Sequence, residues 1–121
     1  VKALLLLPLL AGCAGGLPMP RTAGDAQVEL NDLTATMRDL DATAGVACTA
    51  YGQLPALRLP CQLYLEHWAD AAAAVATAQE SVRLWAMGEA VASSAAQDVR
   101  DAALVLRGAE AIAGELLELV P

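Results

Sequence analysis

The sequence predicts an all-α protein, an antiparallel three-helix bundle, and three observations lead there. Alanine occurs 28 times in 121 residues and phenylalanine not at all, a composition that favours helix over strand. Three stretches carry apolar side chains at alternating steps of three and four, which place one apolar stripe along each helix. The segments between them contain Gly or Pro, the residues that interrupt helices. A chain of this length holds one domain. The alternative arrangement is a long helical hairpin in which the second and third stretches run on through Gly88.

The chain opens with Lys2 and an apolar run from Ala3 to Leu10, followed by Ala11, Gly12 and Cys13. A positive start, a short apolar core and small residues describe an export signal. The run falls well short of the ~20 residues a helix needs to span a bilayer, and Pro8 weakens a spanning reading further. The string Leu10-Ala11-Gly12-Cys13 resembles the lipobox of bacterial lipoproteins. That resemblance covers about the first thirteen residues. It implies a diacylglyceryl group on the Cys13 thiol, cleavage between Gly12 and Cys13, and an N-acyl chain on the new amino terminus. Residues 1–12 are then the signal peptide. Two or more acyl chains hold a protein stably at a membrane, since each buried CH₂ contributes ~0.8 kcal/mol. By the same resemblance, Ala14 after the lipidated cysteine, where Asp would favour the inner membrane, implies the outer membrane, facing the periplasm.

Residues 13–22 hold the anchor and a Gly/Pro-containing tether, Ala14 to Thr22, whose composition suits a linker. The helical domain is expected over 23–121. Its first helix is expected from about Gly24 to Cys48, with Ala26, Leu30, Leu33, Met37, Leu40, Ala44 and Ala47 as the stripe. Thr22 suits the N-cap, with Asp25 three residues on. A break follows over 49–60, where Gly52, Pro55 and Pro60 interrupt helix and Pro60 suits the first turn of the next one. The second helix is expected from Cys61 to Met87, with Tyr64, Trp68, Ala71, Val75, Ala78, Val82 and Trp85 on its inner face and Gly88 as its stop. The third runs from about Ala95 to Val120. Ser94 and Gln97 match a capping box ahead of it. Its stripe is Ala92, Ala95, Val99, Ala102, Leu106, Ala109, Ala113, Leu116 and Val120. The small residues in these seams predict close helix packing.

Apart from Cys13, two cysteines remain, and an even count in an exported chain reads as one disulfide. Cys48 stands at the end of the first helix and Cys61 at the start of the second, so a bond would pin the two ends of a hairpin. The alternative is a pair of free buried thiols. The spacing is not that of a redox CxxC. A zinc site would need more ligands than His67, the single histidine.

Other chemistry is sparse. Seven Lys and Arg stand against fourteen Asp and Glu; without Lys2 the six arginines leave a side-chain charge of −8. That acidity disfavours nucleic acid and provides no basic patch for anionic headgroups. His67 and Asp70 share a helix face but read as a solvated polar surface. Ser81, Ser93 and Ser94 have no base in a recognised arrangement, and no phosphate- or dinucleotide-binding fingerprint appears. No catalytic residue, metal ligand set or cofactor is expected beyond the lipid on Cys13. The leading expectation is a non-catalytic envelope lipoprotein acting through helix-mediated contacts with a protein partner, in a structural, assembly or adaptor role. The alternative is a phage- or mobile-element-type lipoprotein that inhibits, excludes or lyses. A carrier or enzyme would require an enclosed pocket, lined by Trp68 or Trp85.

Overall fold

Thr22 caps the first helix of the bundle: its hydroxyl accepts from the Asp25 amide at 3.0 Å, and helix α1, Ala23–Leu40, starts directly after it. The computed structural model describes residues 19–121; the expected signal segment, 1–12, and Cys13 lie outside them. Asp25 in the first turn and Arg38 in the last complement the helix dipole. The chain then passes through one π-helical turn, Asp41–Gly45, into a short helix α2, Val46–Tyr51. Helix α3 spans Pro55–Ala86 and α4 spans Ala92–Glu118. The fold is an all-α bundle with three helical arms, α1 and α2 forming the first, and among the described residues there is no strand.

Four side-chain contacts set the direction of the arms. Cys48 meets Cys61, and the Trp68 indole N–H donates to the Met37 carbonyl at 3.4 Å. Going back along the first arm therefore means going forward along α3. Ser81 Oγ donates to Asp98 Oδ2 at 2.5 Å, and the His67 ring lies against Gly108 of α4. Consecutive arms are thus antiparallel, as the sequence predicts, and the first arm runs parallel to α4 where the two touch.

The predicted stripes make up most of the core; Ala92 is the exception, exposed in the first turn of α4, and Leu57, Cys61 and Ala96 join from outside the stripes. Ala26, Leu30, Met37, Leu40, Ala44 and Ala47 are buried on the first arm, with Leu33 packed at their edge. From α3 come Tyr64, Ala71, Val75, Ala78 and Val82, and from α4 Ala95, Val99, Ala102, Leu106, Ala109, Ala113 and Leu116. Ala26, Ala44, Ala71, Ala78, Ala102 and Ala109 have no solvent exposure, so much of the seam is methyl groups and close backbone. Trp68 and Trp85 are half-buried at the rim of the core. For Trp68 the reason is its polar edge, which reaches a carbonyl on α1 while the ring packs inward.

Three boundaries differ from expectation. The first break is not 49–60 but only Gly52–Leu54. Gly52 closes α2 by donating to the Cys48 carbonyl at 2.9 Å, and a Cβ there would collide with that same oxygen. Leu54 is extended, as a residue before proline prefers, and Pro55 takes the first helical position. Pro60 consequently sits inside α3 rather than opening it. Its missing N–H deprives the Ala56 carbonyl of a helical partner, but Ala56 is exposed and water can serve it.

The capping box is the second difference. Helix α4 begins at Ala92 with Val91 as its cap residue, and no side chain caps it. Val91's carbonyl receives the amides of Ser94 and Ala95, while Gln97 donates to Asp101 instead of reaching back. Ala92 is a strong helix former, and the foregone cap bond costs only about 1 kcal/mol. Third, the π turn interrupts a helix expected to run evenly to Cys48. Val46 donates to Asp41 across five residues. Thr43 Oγ1 donates back to the Asp39 carbonyl at 2.8 Å, a habit of threonine that bends helices.

Gly88 ends α3 as predicted. It has φ +75°, the left-handed region, and donates to Trp85 while Glu89 donates to Leu84. This is a Schellman ending. It turns the chain back on itself, so α3 and α4 are separate antiparallel helices and the continuous hairpin does not form.

Candidate functional site

The side chains with chemical character gather at the end of the bundle where α2 meets the start of α3. A π turn is wider than an α turn, so the residues after it are rotated relative to a straight helix. Beyond the turn, Ala47 is still buried and Cys48 is half-buried beside it, with its sulfur toward α3. Cys61, buried on the first turns of α3, lies opposite: the Sγ atoms are at disulfide distance and the Cα atoms 5.6 Å apart. The sequence-predicted pair is therefore brought together, one residue from Pro60 and four from Gly52.

Tyr64 lies one turn beyond Cys61. Its ring is buried, and its hydroxyl finds no hydrogen-bond partner in the protein. Burial pushes the phenol above its ordinary range, and the nearby charge of Asp41 in the π turn adds to that. The phenol is thus held neutral. An open cleft of about 410 Å³ lies beside the disulfide, lined by Gly45, Thr49, Gln53, Arg58, Gln62 and Leu65 among others. It is a surface cleft, with neither Trp68 nor Trp85 in its wall.

His67 and Asp70 do not form a pair. The His67 Nδ1 lies 2.9 Å from the Leu63 carbonyl, an oxygen that can only accept, so this nitrogen carries the proton. The ring is half-buried against α4 rather than standing in solvent. Ser81 does have a partner on a neighbouring helix, the Asp98 carboxylate, but the pair bridges α3 and α4 without a base beyond it. Ser93 and Ser94 lie exposed in the first turn of α4. Among the described residues no three His, Cys, Asp or Glu side chains gather where they could hold a metal ion.

One feature was not singled out by the sequence. Large apolar side chains stand in solvent around the cross-linked end: Val46, Tyr51, Leu54, Leu59 and Leu65. Leu59 is 62 % exposed and Leu65 55 %. Val46 and Leu65 fall off the predicted stripes, while Tyr51, Leu54 and Leu59 fall in the segment expected to be a break, so apolar spacing assigned none of them a face. Among the described residues no helix is long and apolar enough to cross a membrane. Comparison of the chain with protein-family models, with curated proteins and with solved structures finds no match.

Proposed function

We propose that this chain is an envelope lipoprotein, held by lipid on Cys13 and acting through helix-mediated contact with a protein partner. The observation that carries the reading is the Cys48–Cys61 pair at disulfide distance. Disulfides persist in oxidising compartments such as the periplasm, and the pair is independent of the lipobox resemblance at Leu10-Ala11-Gly12-Cys13. Two separate parts of the sequence thus agree on export. The acidic side chains favour neither nucleic acid nor an anionic bilayer, so the lipid supplies the membrane attachment. The lipobox, with Ala14 after its cysteine, favours the outer membrane facing the periplasm.

The exposed apolar residues around the disulfide, with Leu54, Leu59 and Leu65 foremost, suit the contact surface of such a protein. Catalysis has no place in the proposal, because His67, Ser81 and Asp70 are each committed elsewhere or isolated. Expression of the full chain with Cys13→Ser is the test. The parent protein should carry the mass of its acyl chains and sediment with membranes, and the variant should do neither. Unchanged sedimentation of the variant would overturn the proposal.

A further inference from the structure

The end of the bundle opposite the disulfide carries its own apolar feature. The link between α3 and α4 presents Met87, 57 % exposed, and Val91, 68 % exposed, with Gly88, Glu89 and Ala90 between them. The Schellman turn at Gly88 fixes this tip, and Arg83 donates to the Met87 sulfur at 3.2 Å while its guanidinium pairs with Glu80. The tip therefore has one carboxylate of its own, Glu89, and a neutralised ion pair one turn below.

The first arm enters at this same end. Counting back from Met37, which lies level with Trp68, the fourteen residues to Ala23 climb ~21 Å. That places the start of α1 roughly level with residue 82 of α3, about five residues or ~7 Å short of Met87. Nine residues, 14–22, separate Cys13 from Ala23, and nine residues reach at most ~30 Å. A lipid on Cys13 thus keeps the α3–α4 tip near the bilayer, while α3 with its 32 residues carries the disulfide end ~48 Å away along its axis. The flanks oppose lying flat. Asp32, Asp39, Asp70, Asp101, Glu110 and Glu115 are exposed along them and outnumber the exposed Arg38, Arg58 and Arg107, so lying flat would press net negative charge against anionic headgroups.

We infer that the Met87–Val91 tip seats in the headgroup–acyl boundary beside the lipidated Cys13, so that the bundle stands upright with its cross-linked end pointing away from the membrane. The inference rests on the lipoprotein reading. Its partner is a lipid surface: Met87 and Val91 provide the apolar contact, and the Arg83–Glu80 pair lies at headgroup depth.

Of the three methionines, Met87 is at the tip, Met37 is buried mid-bundle and Met19 lies ahead of α1, so the Met87 methyl reports on the tip. The full chain is labelled with [methyl-¹³C]methionine, purified with its lipid, and placed in phosphatidylethanolamine–phosphatidylglycerol nanodiscs. Leu59→Met, at an exposed site, adds a reporter at the far end. A nitroxide on the lipid headgroups should broaden the Met87 methyl at least threefold more than the Leu59→Met methyl. A soluble gadolinium chelate should do the reverse. Equal broadening of the two, or a Met87 methyl fully open to the chelate, overturns the seating while leaving the lipoprotein reading intact. A mass spectrum of the same sample showing unmodified Cys13 overturns both.

Discussion

Breaking the Cys48–Cys61 bond is the most informative perturbation of this fold. The bond closes a loop with a sequence separation of 13, and in the chain-entropy model a closed loop of that size removes about 3 kcal/mol of freedom from the unfolded chain. The native arrangement already holds α2 beside α3, so reduction should leave the folded bundle intact and act on the unfolded ensemble. For a small domain, 3 kcal/mol is a large share of a total that is typically 5–15 kcal/mol. Urea unfolding followed by helical circular dichroism, with and without reductant, measures it. With m near ~1.5 kcal/mol/M the midpoint should fall by about 2 M, and thermal unfolding should move down by roughly 10–20 °C. The reduced protein should also unfold with a slightly larger m, because its unfolded chain exposes more surface. Cys48→Ala with Cys61→Ala should fall somewhat further, since Cys61 is buried and its sulfur fills space in the core. A loss below about 1 kcal/mol on reduction would refute the loop-entropy reasoning.

Three further outcomes are expected. Ala109→Leu should cost ~1–3 kcal/mol by forcing a larger side chain into the fully buried seam, while Ala111→Leu on the exposed face should stay within ~0.5 kcal/mol; urea midpoints separate the two. Gly88→Ala should cost ~1–2 kcal/mol through backbone strain alone, because φ is +75° and nothing lies within 4 Å of the added Cβ. Tyr64→Phe should be neutral or stabilising at neutral pH, since the buried hydroxyl gives up no protein partner. Because the folded-state phenol is raised above its unfolded value, this group's stabilising contribution is whole below pH ~10 and declines as pH rises through the folded value. Tyr64→Phe should remove that alkaline decline, and a titration of unfolding midpoint against pH reads it.

The buried faces were legible in the sequence because they depend on one property, the spacing of apolar residues. Ala26, Leu30, Met37 and Leu40, and again Ala95, Val99, Ala102 and Leu106, are buried where the stripe places them. Thr22 and Gly88 were legible for a different reason: each serves a local bond that its own side chain or backbone makes possible. What escaped was register at the ends. Pro60 signals a helix start by propensity, yet Pro55 can play the same part five residues earlier, and an exposed Ala56 carbonyl tolerates the loss. Ser94 and Gln97 matched a cap, but a helix end moves by a turn for little free energy when the residues ahead of it, such as Ala92, are also helix formers. The π turn left no trace in the apolar pattern, since Leu40, Ala44 and Ala47 keep their spacing through it. Of the candidate site, the cysteine pairing was readable from placement and parity. The exposed Leu54, Leu59 and Leu65 around it became visible only with the helices in place.

The two links between α1–α2 and α3, the Trp68–Met37 hydrogen bond and the Cys48–Cys61 bond, both fall in the second half of the first arm. The first half, from Ala23 to Thr36, is held by Ala26 and Leu30 in the core, Leu33 at its edge and the Thr22 cap. Durability along this arm is therefore graded. Amide exchange should be fastest in its first turns and slow toward Cys48, as local opening begins where fewest contacts resist it. Mechanical pull arriving through residue 22 would peel the arm from that same end. The Cys48–Cys61 bond would hold the far end of the arm to α3 after that near end had opened.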